Sequence, residues 1–140
     1  MNYEVKVKFN KTQEEGNVKK VAEDYMVKNA ELFGEVEKFI TKEMQPYVVD
    51  DFEVAAIKKS RYTDIDLSHN GDRYFGCKIV YITIDEKNGK EKNTSEMILI
   101  CADNINEAKK YLDEHMKDTL IDYKVDTIKE TKIFDVYDAK

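Results

Sequence analysis

Residues 3–9 alternate apolar and charged side chains. Tyr3, Val5, Val7 and Phe9 fall on one face of an extended chain, and Glu4, Lys6 and Lys8 on the other. That period of two predicts a half-buried strand with one wet side. A second strand is predicted near residues 19–28, with Val21, Tyr25 and Val27 on one face and Ala22 and Met26 opposite. From about Glu31 to Met44 the period becomes that of a helix. Leu32, Val36, Phe39 and Ile40 form the stripe, widened by Phe33 and Met44. Asn29 is placed to cap the start of this helix and Pro46 to end it. A third strand begins near Phe52 and is expected to run as far as Ile65.

The pattern then repeats. Residues 74–84 form a strand that is apolar on both faces, which places it centrally in a sheet. Asn88-Gly89 is a hairpin signal, and Met97–Ala102 is a continuously apolar second strand. A helix starts at Asn104, with Glu107 as its capping-box partner and a stripe of Ile105, Ala108, Tyr111, Leu112 and Met116. A last strand covers roughly Tyr123 to Phe134. The landmarks coincide when residues 74–137 are slid over residues 3–65. Ala30 meets Ala102, Met44 meets Met116, and Val54, Ile57 and Lys58 meet Val125, Ile128 and Lys129. A period near seventy residues is too long for a solenoid and points to a duplicated unit. The expectation is an α+β fold, a duplicated β-β-α-β unit with a mainly antiparallel sheet and two helices on one face. The two repeats make one domain, joined by a short loop at residues 66–73, with the more apolar second half forming the centre of the sheet.

Composition narrows the classes. A chain of 140 residues that is 41% hydrophobic, with nine Tyr and six Phe, is a packed globule rather than a disordered chain. The net charge of −6 is spread evenly over both halves, so broad attraction to duplex DNA or to anionic lipid is not supported. Cys77 and Cys101 both lie in apolar strand runs and are expected to be buried thiols, which fits a reducing compartment. The opening Met1–Val5 is not read as a signal peptide, and no apolar stretch approaches a membrane span, so a cytoplasmic location is expected.

Little catalytic chemistry is visible. There is no phosphate loop, dinucleotide fingerprint or nucleophile elbow. Neither His69 nor His115 has a cysteine or histidine at metal-ligand spacing, and Asp113-Glu114-His115 reads as a solvated helix end. Cys77 has no histidine placed beside it by the sequence, and Asp50-Asp51 reads as an exposed turn. No catalytic residue, cofactor or metal is expected, and the chain is read as a non-enzyme. The segment Ile57-Lys58-Lys59-Ser60-Arg61-Tyr62 is the strongest candidate, joining three cations to an aromatic ring on an extended chain. Its counterpart carries Lys129, Lys132 and Phe134, and a twofold would bring the two segments side by side. Cations interleaved with aromatic faces suit single-stranded nucleic acid or a nucleotide. The competing reading is a lysine-rich edge strand that discourages edge pairing, and Asp64, Asp126 and Glu130 lie close by.

Asn2–Val7, Arg73–Lys78, Ile84–Lys92 and the tail from Asp122 through Lys129-Glu130-Thr131 to Asp135-Val136 resemble a domain-of-unknown-function family of short proteins from gut Bacteroidetes and their phages. The similarity covers nearly the whole chain and is densest after Arg73; Tyr74 and Gly76 depart from the pattern, which carries Trp and Lys there. The resemblance implies a bacterial or phage origin and a cytosolic setting, and it carries over no catalytic residue. The expected function is a non-enzymatic protein of a phage or mobile element that binds single-stranded nucleic acid or a nucleotide. Lys58, Lys59, Arg61, Tyr62, Lys129 and Lys132 would hold the ligand, the cations on phosphates and Tyr62 stacked on a base. The alternative is an oligomeric interaction module, an adaptor or inhibitor that adds a strand to a host or phage protein or to its own copies.

Overall fold

The computed structural model describes residues 1–48 and 50–140 of the chain. Its elements are β1 (Tyr3–Thr12), β2 (Val18–Lys28), α1 (Phe33–Met44), β3 (Glu53–Lys59) and β4 (Tyr62–Asp66), then β5 (Arg73–Ile84), β6 (Glu91–Ala102), α2 (Ile105–Met116), β7 (Tyr123–Glu130) and β8 (Ile133–Asp138). The class is α+β, but the strands form two four-stranded sheets rather than one. Their orders are β3-β1-β2-β8 and β4-β6-β5-β7. The expected single sheet with both helices on one face is therefore corrected. Each half supplies three strands to one sheet and one outer strand to the other, so the first half is not an edge to a central second half.

The chain divides into two compact units, Met1–Ser60 with Lys132–Lys140, and Arg61–Thr131. The long strand expected from Phe52 to Ile65 is broken at Ser60–Arg61. Its first part, β3, pairs with β1, and its second, β4, runs parallel to β6 in the other sheet. The strand expected from Tyr123 to Phe134 breaks in the same way at Thr131–Lys132, with β7 on β5 and β8 parallel to β2. Each sheet thus takes one outer strand from sequence that follows the other sheet's third strand.

In the first unit, β1 keeps the predicted alternation. Tyr3, Val5, Val7 and Phe9 are buried against Val36, Ile40 and Met44 of α1. Helix α1 begins two residues later than its stripe implied. Asn29 does not cap it: this residue adopts a left-handed conformation (φ 63°) and donates its amide to Asp138 Oδ1 at 2.9 Å. The Glu35 carboxylate caps instead, accepting from the backbone N–H groups of Glu31 (2.7 Å) and Leu32 (3.3 Å). Those two bonds hold the Glu35 carboxyl below the usual carboxylate range. Past Met44 the chain tightens into a 3-10 turn at Gln45–Tyr47 that carries Pro46.

In the second unit, Cys77, Ile79, Ile98 and Ile100 face Leu112 and Met116 of α2. Asn104 caps α2 as expected, its Oδ1 accepting from the Glu107 N–H at 2.9 Å. The β5–β6 connection turns through Gly89 at φ 68°, a conformation that favours glycine. Both cysteines are buried thiols outside any disulfide among the described residues, and burial pushes the Cys77 thiol up to about 11. Among the described residues, no helix is long and apolar enough to cross a membrane.

Candidate functional site

Alternation puts the odd residues of β5 against α2, so Gly76 and Lys78 point to the helix-free face of the second sheet. The register lines up one residue from each strand across that face: Tyr62 is opposite Met97, Met97 opposite Lys78, and Lys78 opposite Thr127. Gly76, which leaves the surface without a side chain, is opposite Lys129. Tyr62 leans over that gap: a Cβ on Gly76 would lie 2.2 Å from the Tyr62 hydroxyl oxygen. A bulge between Lys78 and Ile79 adds Asp126 as an extra residue on β7. The result is a pocket of about 280 Å³ lined by Arg61, Tyr62, Lys78, Met97, Asp126 and Lys129, with Gly76 and Thr127.

The six sequence-derived site residues are divided between the two units. Arg61, Tyr62 and Lys129 line this one pocket in the second unit. Lys58 and Lys59 lie exposed on β3, at the edge of the first sheet, and Lys132 is exposed in the first unit just ahead of β8. The expected side-by-side placement of the two segments is not a strand pairing, since β3 pairs with β1 and β7 with β5. Nor do Lys58, Ser60 and Tyr62 share one strand face, because the strand is interrupted between them. Tyr62 is 4% exposed, which leaves it no open ring face for a base. Its role is corrected from stacking platform to pocket wall.

The neighbouring carboxylates turn to other cations. Glu130 pairs with Arg73 at 3.1 Å, and Asp126 approaches Lys78 at 3.7 Å. Among the described residues, neither Arg61 nor Lys129 has an ion-pair partner within 4.0 Å. The Arg61 guanidinium lies 5.7 Å from the Tyr62 ring centre. The pocket therefore presents two uncompensated cations and one partly compensated cation around a neutral floor, an arrangement suited to an anion. Lys78 was missed because its strand reads as apolar on both faces. The available signal was a glycine and a lysine at alternate positions of an otherwise apolar run.

A second cluster escaped the sequence reading. His115 of α2 is not a solvated helix end. Its Nδ1 lies 2.7 Å from Asp66 Oδ2 and its Nε2 2.7 Å from Asp64 Oδ2. Asp64 and Asp66 are two apart on β4 and so reach the same side, the recoverable signal. Both ring nitrogens face carboxylates, so the imidazolium, which donates twice, is the form this geometry favours. Burial lowers the His115 pKa, but the hydrogen bonds and charges of Asp66 and Asp64 outweigh it and leave it raised. Burial likewise raises the Asp66 pKa, and the bonds from Ser68 and His115 outweigh it and leave it lowered. Among the described residues, no group of three or more His, Cys, Asp or Glu is arranged to hold a metal ion. The cluster is a clamp of β4 onto α2.

Its pH dependence follows in sign. A raised histidine pKa contributes stability that is full below the unfolded value near 6.5 and lost as pH rises through the folded value. The lowered Asp66 contributes above 3.8 and fades as pH falls through its folded value. Thermal unfolding midpoints measured from pH 5 to pH 9 are expected to fall by a few degrees on the alkaline side in the native chain. The His115→Gln variant should lack that fall, and an equal slope in both would refute the clamp.

Neither the curated proteins nor the solved structures yield a match to this chain. One family model does match, over residues 1–139. The chain belongs to the family described as Domain of unknown function (DUF4494).

Proposed function

We propose that this protein is a non-enzymatic binding protein, acting in the cytoplasm for a phage or mobile element, that holds a phosphate-bearing ligand on the helix-free face of its second sheet. The ligand class is a nucleotide or single-stranded nucleic acid. The observation that carries the reading is the convergence of Arg61, Lys78 and Lys129 on one pocket of about 280 Å³. Just below the roughly 300–1,000 Å³ typical of ligand sites, it suits one or two phosphate groups with their sugar rather than a long duplex. The overall charge of −6 argues the same way, because an extended polyanion would meet mostly repulsion. Recognition then rests on phosphate charge and on the Arg61 fork, not on stacking against Tyr62.

Fluorescence anisotropy with a labelled oligothymidylate and a labelled nucleotide at low salt tests this. One or two neutralised phosphates predict that oligonucleotide affinity falls roughly threefold to sevenfold between 50 and 200 mM salt. Arg61→Glu combined with Lys129→Glu should abolish binding, while Lys58→Glu combined with Lys59→Glu, outside the pocket lining, should weaken it far less. No binding, or binding indifferent to the first pair, overturns the reading. In that event the alternative of a protein-interaction module gains, since β3, β4, β7 and β8 each stand at a sheet edge. A stoichiometric partner that survives nuclease treatment would identify it.

The same reading takes the chain as a doubled unit. Both helices are 12 residues long and start 72 positions apart, and Val36, Ile40 and Met44 are buried at the positions of Ala108, Leu112 and Met116. Exchanging β1–β4 for β5–β8 turns one strand order into the other.

A further inference from the structure

The C-terminal end of each helix is finished differently. Glu43 of α1 and His115 of α2 occupy the same penultimate helical position. In the second unit the imidazole fills the space beside the outer strand, between Asp64 and Asp66. In the first unit a cavity of about 130 Å³ remains there, walled by Tyr25, Phe134 and Tyr137 and edged by Glu23 and Asp135. We propose that this cavity is a binding site for an alkylated ammonium group, with Lys11 as its resident internal cation.

The open aromatic wall is formed by exposed Phe134 and half-buried Tyr137, both backed by the buried Tyr25. The Tyr25 ring stacks on Tyr137 at 5.6 Å and meets Phe134 edge-on at 5.6 Å. A cation already sits against it: Lys11 Nζ lies 5.0 Å from the Phe134 ring centre and 3.3 Å from Glu23 Oε1. Tyr25 donates its hydroxyl to the other oxygen of Glu23, fixing that carboxylate at the rim. The Tyr137 hydroxyl is pushed up to about 12 by burial and by the negative charge of Asp135, Glu43 and Glu23, so it stays neutral. Glu23, Asp135 and one lysine line the cavity, and Met44 brings the C-terminal end of α1, with its partial negative charge, to it. A single water needs roughly 10–15 Å³, so the space admits a headgroup of several heavy atoms. Aromatic faces with a negative rim suit a soft, weakly hydrated cation; a metal ion would require a shell of oxygen ligands instead. Lys11 is amphipathic and two-thirds buried, at 35% side-chain exposure, and lies near the end of β1, where it is able to swing outward.

Choline is the probe, titrated by calorimetry against the whole chain, with its uncharged carbon isostere as the control. The absence of tryptophan leaves the nine tyrosines to report binding by fluorescence. Lys11→Ala is expected to bind choline about tenfold more tightly than the native chain, and Phe134→Ala added to it to lose about tenfold. Phe134 is 56% exposed, so its truncation does not open the core. The isostere should bind neither protein. No detectable choline binding to Lys11→Ala, affinity unchanged by removal of Lys11, or equal binding of the isostere overturns the proposal. None of these outcomes bears on the pocket of the second unit.

Discussion

Gly71→Ala is expected to lower the unfolding midpoint by roughly 10 °C, the effect of about 3 kcal/mol in a chain of this size. A Cβ at this position would stand 2.4 Å from the carbonyl carbon of Ala102, 2.5 Å from its Cα and 2.7 Å from its nitrogen. These are backbone atoms of an interior strand, and Ala102 has no exposed surface. No side chain is available to swing away. The joint between β4 and β5 must instead lift off the end of β6, which also separates the Cys101 thiol from the Gly71 carbonyl, 3.3 Å apart. Gly34→Ala is the matched control. Nothing lies within 4 Å of its added methyl, and a helical glycine replaced by alanine gains up to about 1 kcal/mol. The same chemical change should therefore act with opposite sign at the two sites. Equal midpoints for Gly71→Ala and the native chain in a calorimetric scan would contradict the close approach.

Leu112→Ala should cost about 3–5 kcal/mol, seen as a lower midpoint in urea with little change in slope. Leu112 is fully buried beneath Cys77, Ile79, Ile98 and Ile100, where a truncated side chain leaves a hole that stiff β-strands close poorly. Ile40→Ala removes the equivalent residue of α1 from the other core and should cost a similar amount. Because each unit has its own core, amide exchange in Leu112→Ala is expected to accelerate first across β5, β6 and β7, with β1 and β2 following later. Uniform acceleration would show that the two cores open together.

Local features were legible. The alternation of Tyr3 to Phe9, the stripe from Val36 to Met44, the cap at Asn104 and the interior places of β5 and β6 all follow from spacing and hydropathy. The partition into two sheets was not, for a physical reason. Nothing in Lys59-Ser60-Arg61 or Thr131-Lys132 carries the glycine or proline punctuation of a strand end. The break is imposed by partners distant in sequence, which alternation does not encode. The candidate pocket was legible in part. Arg61 and Lys129 were found because they stand out as cations near strand ends, whereas Lys78 and Gly76 acquire meaning only when four strands lie in register. His115 was lost to the same distance, since its partners Asp64 and Asp66 are 51 and 49 positions away.

The outer strand of each sheet comes from the opposite half of the chain, so neither half holds all four strands of a sheet. A free-standing segment equivalent to residues 1–70 would hold β4 with no β6 to receive it, while its own β2 would lack β8. Residues 1–70 and 71–140 produced as two separate polypeptides should therefore fold only in each other's presence, since each sheet is complete only when both contribute strands.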